Sequence, residues 1–204
     1  MLTIIDYGVG NLASIQNMLK KAGAKSLISS NVNDVANATK IIMPGMGHFD
    51  NCMIKLNQSG LMETLQLKAN TEKIPMLGIC VGLQMLMESS EEGVEQGLGW
   101  VKGKTVKFKK ELLPANYTIP NMGWLDVKAV KKFPLFENLE YSRFYFAHSF
   151  YVQPENEDVS LLKAFYGYEY TVAIQQENIM GIQFHPEKSH RFGMQLLKNF
   201  AFNF

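Results

Sequence analysis

Cys80 stands in Gly78-Ile79-Cys80-Val81-Gly82, a nucleophilic residue type with a glycine two positions to either side. That spacing suits a sharp turn from strand to helix, which holds the nucleophile in a strained conformation while other backbone packs close on both sides. Pro75 to Ile79 is a short apolar run of the kind a buried parallel strand shows, and Leu83 to Glu88 consists of strong helix formers. A thiol at a helix N-terminus feels the positive end of the helix dipole, which favours the nucleophilic thiolate. Cysteines are more often buried packing than reactive groups. Cys52, among the apolar positions of a helical stretch, reads that way; its glycines and its corner set Cys80 apart.

A reactive thiol needs a base, and the charge it creates on a substrate needs donors. His185-Pro186-Glu187 follows the apolar run Ile179 to Phe184. In an extended segment residues two apart face the same side, so His185 and Glu187 converge, with Pro186 fixing the backbone between them. A carboxylate bonded to one ring nitrogen sets the tautomer that leaves the other free to take a proton from a thiol. Donors are expected at Pro44-Gly45-Met46-Gly47, where a second apolar run, Lys40 to Met43, ends. Glycines flanking Met46 let the backbone approach a ligand and present N–H groups to it, as an oxyanion hole requires.

The elements that must position these groups follow in order. Leu2 to Asp6 reads as a strand, and Leu12, Ile15, Leu19 and Ala22 recur at helical spacing up to Gly23, a C-cap position. The loop between them has Gly8 and Gly10 but Ala13 where a dinucleotide fingerprint needs a third glycine, and no acidic residue within Ser26 to Ser30. Ser26 to Ser29 reads as the second strand, and residues 49 to 69 as one or two helices broken at Ser59-Gly60. After Glu88 to Gly93, an acidic turn-rich exit, the character changes. Trp100 to Lys110, Tyr117 to Asp126, Arg143 to Tyr151 and Ser160 to Phe165 are short β-branched or aromatic segments, the pattern of an antiparallel addition to the sheet. Tyr170 to Gln176 and Ile179 to Phe184 pair around Glu177-Asn178, and Phe192, Leu196 and Phe200 mark a closing amphipathic helix.

Composition bounds the answer. The 204 residues suit one domain spanning 1–204, and 47% hydrophobic with 19% charged residues is ordinary globular composition. Twenty basic against 19 acidic side chains leave a net charge of +1, which argues against a nucleic-acid or anionic-membrane partner. Arg143 and Arg191 are the only arginines. The lysines at 102, 104, 107, 109 and 110 read as a solvated edge strand. Two cysteines make no disulfide framework, and no apolar run approaches the roughly 20 residues of a membrane span, so a cytoplasmic protein is expected. No residue pattern asks for a metal or an organic cofactor, and neither is expected.

Together the blocks resemble the class I, or triad, glutamine amidotransferases. They are Asp6 to Asn11, Met43 to Phe49, Gly78 to Gln84, Pro120 to Trp124, Tyr145 to Phe150 and Gln183 to Ser189, nearly the whole chain in order. The resemblance implies a flavodoxin-like α/β fold, a central mostly parallel sheet with antiparallel additions. It implies hydrolysis of L-glutamine to glutamate, Cys80 attacking the side-chain amide, His185 relaying the proton and Glu187 orienting the imidazole. It implies backbone donors at Met46, Gly47 and Val81 for the oxyanion, each worth about 3 kcal/mol of transition-state stabilisation. Gly47, Gln84, His148, Ser149 and Phe150 would hold the substrate's α-amino and α-carboxylate groups. Asn11, Trp124 and Lys188 would face a (β/α)8-barrel cyclase subunit in a heterodimer of histidine biosynthesis. Three departures from the histidine-pathway members are Asn121 where His is usual, Leu125 where Asn is frequent and Phe150 for a common Tyr. Because Asn121 and Leu125 flank Gly123-Trp124, they are expected to change the hydrogen bonds of the partner contact. The alternatives are a paralogous glutaminase feeding an amidine-forming enzyme of surface-sugar synthesis and, in another class, a non-catalytic binding or regulatory subunit.

Overall fold

Short apolar runs alternating with amphipathic helices make a parallel sheet, because crossover helices cover both faces and leave the strands no wet side. The structure, a computed structural model, describes residues 1–139 and 142–204. Its first half follows the pattern: β1 (Leu2–Ile5), α1 (Leu12–Lys21), β2 (Ser26–Ser29), α2 (Val32–Ala36), β3 (Lys40–Gly45), α3 (Phe49–Gln58), α4 (Met62–Gln66), β4 (Met76–Cys80) and α5 (Val81–Met85). Every residue of β1 and β4 is buried. The short α2 went unread in the sequence, although Asn31 caps it by accepting from the N–H groups of Asn33 and Asp34.

The second half adds β5 (Ser89–Ser90), β6 (Gly103–Lys107), β7 (Asn121–Ala129), β8 (Arg143–His148), β9 (Phe150–Pro154), β10 (Ser160–Tyr166), β11 (Tyr168–Gln176), β12 (Ile179–Ile182) and α6 (His190–Phe202). One nine-stranded sheet runs β2-β1-β3-β4-β12-β11-β10-β7-β8, and a small one runs β5-β6-β9. Pairs from β2 to β12 are parallel, and pairs from β12 to β8 are antiparallel. The parallel order is the flavodoxin-like one, with β12 as its fifth strand. Although last in the chain, β12 lies between β4 and β11, so the loop after it emerges beside the loop after β4. Among the described residues no helix is long and apolar enough to cross a membrane.

Three local readings change. The helix after Cys80 has only five residues. The Leu86 N–H reaches back to the Leu83 carbonyl and Met87 to Gln84, tight turns that swing the chain into β5 and leave less helix dipole than a long helix carries. The segment Arg143 to Tyr151 divides at Ser149, β8 joining the large sheet and β9 the small one. The last strand ends at Ile182 rather than Phe184.

Candidate active site

Cys80 closes β4 with φ 56° and ψ −111°, a conformation that favours glycine and costs a side-chain-bearing residue about 1–3 kcal/mol. Close packing holds it there. A Cβ on Gly82 would lie 2.0 Å from the Met43 carbonyl oxygen, and one on Gly45 2.3 Å from the Gly82 nitrogen. The end of β3 and the first turn of α5 therefore touch backbone to backbone, and only glycine permits it.

His185 arrives from β12. Its N–H donates to the Tyr145 carbonyl at 2.9 Å. The buried Ser189 hydroxyl donates to the His185 carbonyl at 2.6 Å and accepts from the Tyr145 N–H at 2.9 Å, clamping the loop to β8. Residues Pro186–Lys188 form a 3-10 turn with His185 at its cap. The turn, not the extended geometry expected from the sequence, brings His185 Nδ1 to 2.9 Å from Glu187 Oε1, both side chains almost wholly buried. Burial alone would pull His185 down. Hydrogen bonds to Cys80 and Glu187, with their charges, outweigh it and raise the ring to about 10. The buried His185 ring thus sits between the Cys80 sulfur and a carboxylate.

A cavity of about 220 Å³ opens over these groups. Met46, Gly47, Val81, Gln84, His148, Ser149 and Phe150 all line it, together with Cys80, His185 and Lys188. The Cys52 thiol donates to the Met46 carbonyl at 3.5 Å. Because a trans peptide sends its C=O and N–H to opposite sides, the Gly47 N–H points away from Cys52. Gln84 donates from Nε2 to the Phe150 carbonyl at 3.0 Å and to Gln183 Oε1 at 3.2 Å. With both N–H groups engaged, Gln84 offers a ligand only its carbonyl oxygen, an acceptor suited to an ammonium group. Glu92, passed over as part of an acidic turn, also lines the cavity, its carboxylate accepting from the Phe49 N–H at 2.9 Å. Nothing in its local sequence signals this, since α3 and the cavity reach it from elsewhere in the chain.

Asn121 corrects an expectation. Its side chain is buried rather than facing a partner, donating to the Tyr170 hydroxyl at 3.1 Å beside His148 Nε2. Burial, with a smaller contribution from the His185 charge, lowers His148 to about 4 against the opposing pull of its bond to the Phe150 carbonyl. Leu125 packs partly against the core. Trp124 lies outside the cavity in a cleft with Arg143, His190 and Arg191, its ring stacked on His190 at 5.4 Å. Tyr145 joins it to Lys188, edge-on to Trp124 at 6.2 Å and beneath the Lys188 ammonium at 5.6 Å. Asn11 stands at the N-cap position of α1 without a side-chain cap bond, and α1 packs against the 186–188 turn.

Similarity to known proteins runs the length of the chain. The family described as "Glutamine amidotransferase class-I" matches residues 3–204. The imidazole glycerol phosphate synthase subunit HisH of Bdellovibrio bacteriovorus is 48% identical over 202 residues, 98% of this chain and 99% of that protein. The subunit HisH 2 of Methanococcus maripaludis is 49% identical over 201 residues, 98% of each chain. Among solved structures, a glutamine amidotransferase superposes with a TM-score of 0.71 at 18% identity, covering 96% of this chain and 98% of that one. PurLQS of Thermotoga maritima superposes with 0.72 at 16% identity, covering 99% and 97%; at such identities the likeness concerns the fold.

Proposed function

We propose a function from one premise: the chain belongs to the class-I glutamine amidotransferases. It serves as the glutaminase subunit of imidazole glycerol phosphate synthase in histidine biosynthesis. In this reading residues 1–204 act as one amidotransferase domain, which the continuous nine-stranded sheet supports. The observation that carries the chemistry is Cys80, His185 and Glu187 in contact beneath a cavity whose volume, about 220 Å³, suits a free amino acid. Pockets for larger ligands run from about 300 to 1,000 Å³.

With its proton on His185, Cys80 Sγ adds to the side-chain amide carbon of glutamine. The carbonyl oxygen takes up negative charge and backbone N–H groups of Met46, Gly47 and Val81 hold it. The C–N bond then breaks as the His185 imidazolium passes its proton to nitrogen, releasing ammonia and leaving a thioester. Water gives a proton back to His185 as it attacks, and glutamate leaves as the thiol reforms. Glu187 holds the ring so that its far nitrogen faces sulfur throughout. Gln84 and Glu92 present acceptors to the α-ammonium group, with Gly47, His148, Ser149 and Phe150 forming the rest of the cradle. Ammonia passes to a (β/α)8-barrel cyclase bound over Asn11, Trp124 and Lys188 as a heterodimer.

Cys80→Ser tests the reaction: glutamate release in the presence of the cyclase falls to background, and undiminished turnover removes the mechanism. The same assay with small peptides separates a glutaminase from a peptidase. Glutamine-dependent product formation with a histidine-pathway cyclase tests the acceptor. Stimulation only by an amidotransferase of surface-sugar synthesis assigns the chain there.

A further inference from the structure

Gln183 is fully buried, and its Nε2 lies 3.8 Å from Cys80 Sγ, within reach of a hydrogen bond to sulfur. An amide side chain can be turned either way, so the direction of that bond must come from its neighbours. One atom supplies it. The Phe150 carbonyl oxygen only accepts, so the Gln84 group facing it at 3.0 Å is the NH₂. The same NH₂ faces Gln183 at 3.2 Å, which makes that atom oxygen and turns the Gln183 NH₂ toward sulfur.

The chain of bonds runs on through the other side of the same carbonyl. His148 Nδ1 approaches the Phe150 oxygen at 2.7 Å and must carry the proton, leaving Nε2 bare. The Tyr170 hydroxyl, 3.2 Å away, donates to Nε2 and accepts from Asn121 Nδ2 at 3.1 Å. Burial keeps the Tyr170 hydroxyl protonated by raising it well above its ordinary range. The Phe150 oxygen thus accepts from both sides, and the Gln84 bond to it is the one that fixes the Gln183 amide.

We propose that Gln183 is a further catalytic residue, whose side-chain N–H stabilises negative charge on the Cys80 sulfur, and that Gln84, held by the Phe150 carbonyl, is the positioning residue that aims it. The assignment rests on Cys80 as nucleophile. Sulfur carries negative charge before attack and again when the thioester is hydrolysed, and an N–H held at a fixed angle favours that charge without reorganising.

The test is capture of Cys80 by iodoacetamide across pH in the full-length protein, a readout that packing alone does not move. Gln183→Leu slows capture at pH 7 by about tenfold and moves its pH profile alkaline, the size of one hydrogen bond to a charged group. Gln183→Glu, of the same shape, slows it further because a carboxylate then faces the sulfur; it also serves where the leucine variant does not fold. Gln84→Leu removes the donor that fixes the Gln183 amide, leaving that amide free to turn over, and gives a smaller alkaline shift. An unchanged capture profile in a folded Gln183 variant overturns the proposal. Absence of glutamine turnover by the unaltered protein with its cyclase would sink the glutaminase reading instead, so the two failures are distinguishable.

Discussion

The parallel half of the sheet and the antiparallel half hold their shares of the site by different means. Cys80 ends β4, a wholly buried apolar strand, and its position comes from backbone touching backbone, Gly45 and Gly82 leaving no room for a methyl group. Around His148 the strands are wetted by buried polar groups, and position comes from side-chain hydrogen bonds through Asn121, Tyr170 and Gln84. Steric contact is all or nothing, whereas a hydrogen-bond chain loses function in steps. Substitutions in the first half should therefore break the fold, and those in the second should retune the enzyme.

Gly82→Ala is the severest break. Its Cβ would fall 2.0 Å from the backbone oxygen of Met43, which cannot yield without moving β3. The expected cost is about 3 kcal/mol or more in denaturant unfolding, the upper end of core overpacking with backbone displacement. A soluble variant of normal stability would undo the contrast. Glu187→Gln keeps shape but removes the charge facing His185, and kcat for glutamine hydrolysis should fall by about 10²- to 10⁴-fold with little change in KM.

The two histidines sharpen the comparison through pH. His185, raised from 6.5 to about 10, binds its proton more tightly in the folded state, so its contribution is full below 6.5 and drains away as pH rises toward 10. His148, lowered from 6.5 to about 4, resists protonation in the folded state, so stability is lost as pH falls from 6.5 toward 4. Together they place a maximum near 6.5. In urea titrations Glu187→Gln should make the alkaline limb shallower, the Cys80 share remaining, and leave the acid one; loss of the acid limb instead would contradict the assignment of causes.

Two smaller effects follow. Trp124→Ala should weaken association with the cyclase by about 2 kcal/mol, the scale of an aromatic anchor, as read by calorimetry. Cys52→Ala removes one weak donor from the Met46 carbonyl and should change glutaminase turnover by about threefold at most. A larger loss would mean that the Met46–Gly47 segment depends on side-chain support after all.

What the sequence determined by itself was local. A glycine on each side of Cys80 encodes a corner because backbone freedom is a property of single residues, and His185 and Glu187 are so close in the chain that either an extended or a turned backbone brings them together. Alternating apolar runs and helices announced the parallel half for the same reason, and the matching blocks announced the family. Tertiary structure decided the rest. The insertion of β12 beside β4 sets His185 against Cys80, and Gln183 meets the sulfur from 103 positions away. Gln84 reaches the Phe150 carbonyl across 66 positions. Such bonds leave no periodicity or spacing to read, because each is made only after strands distant in sequence have paired and shut out water, and only then does the direction of a single amide matter.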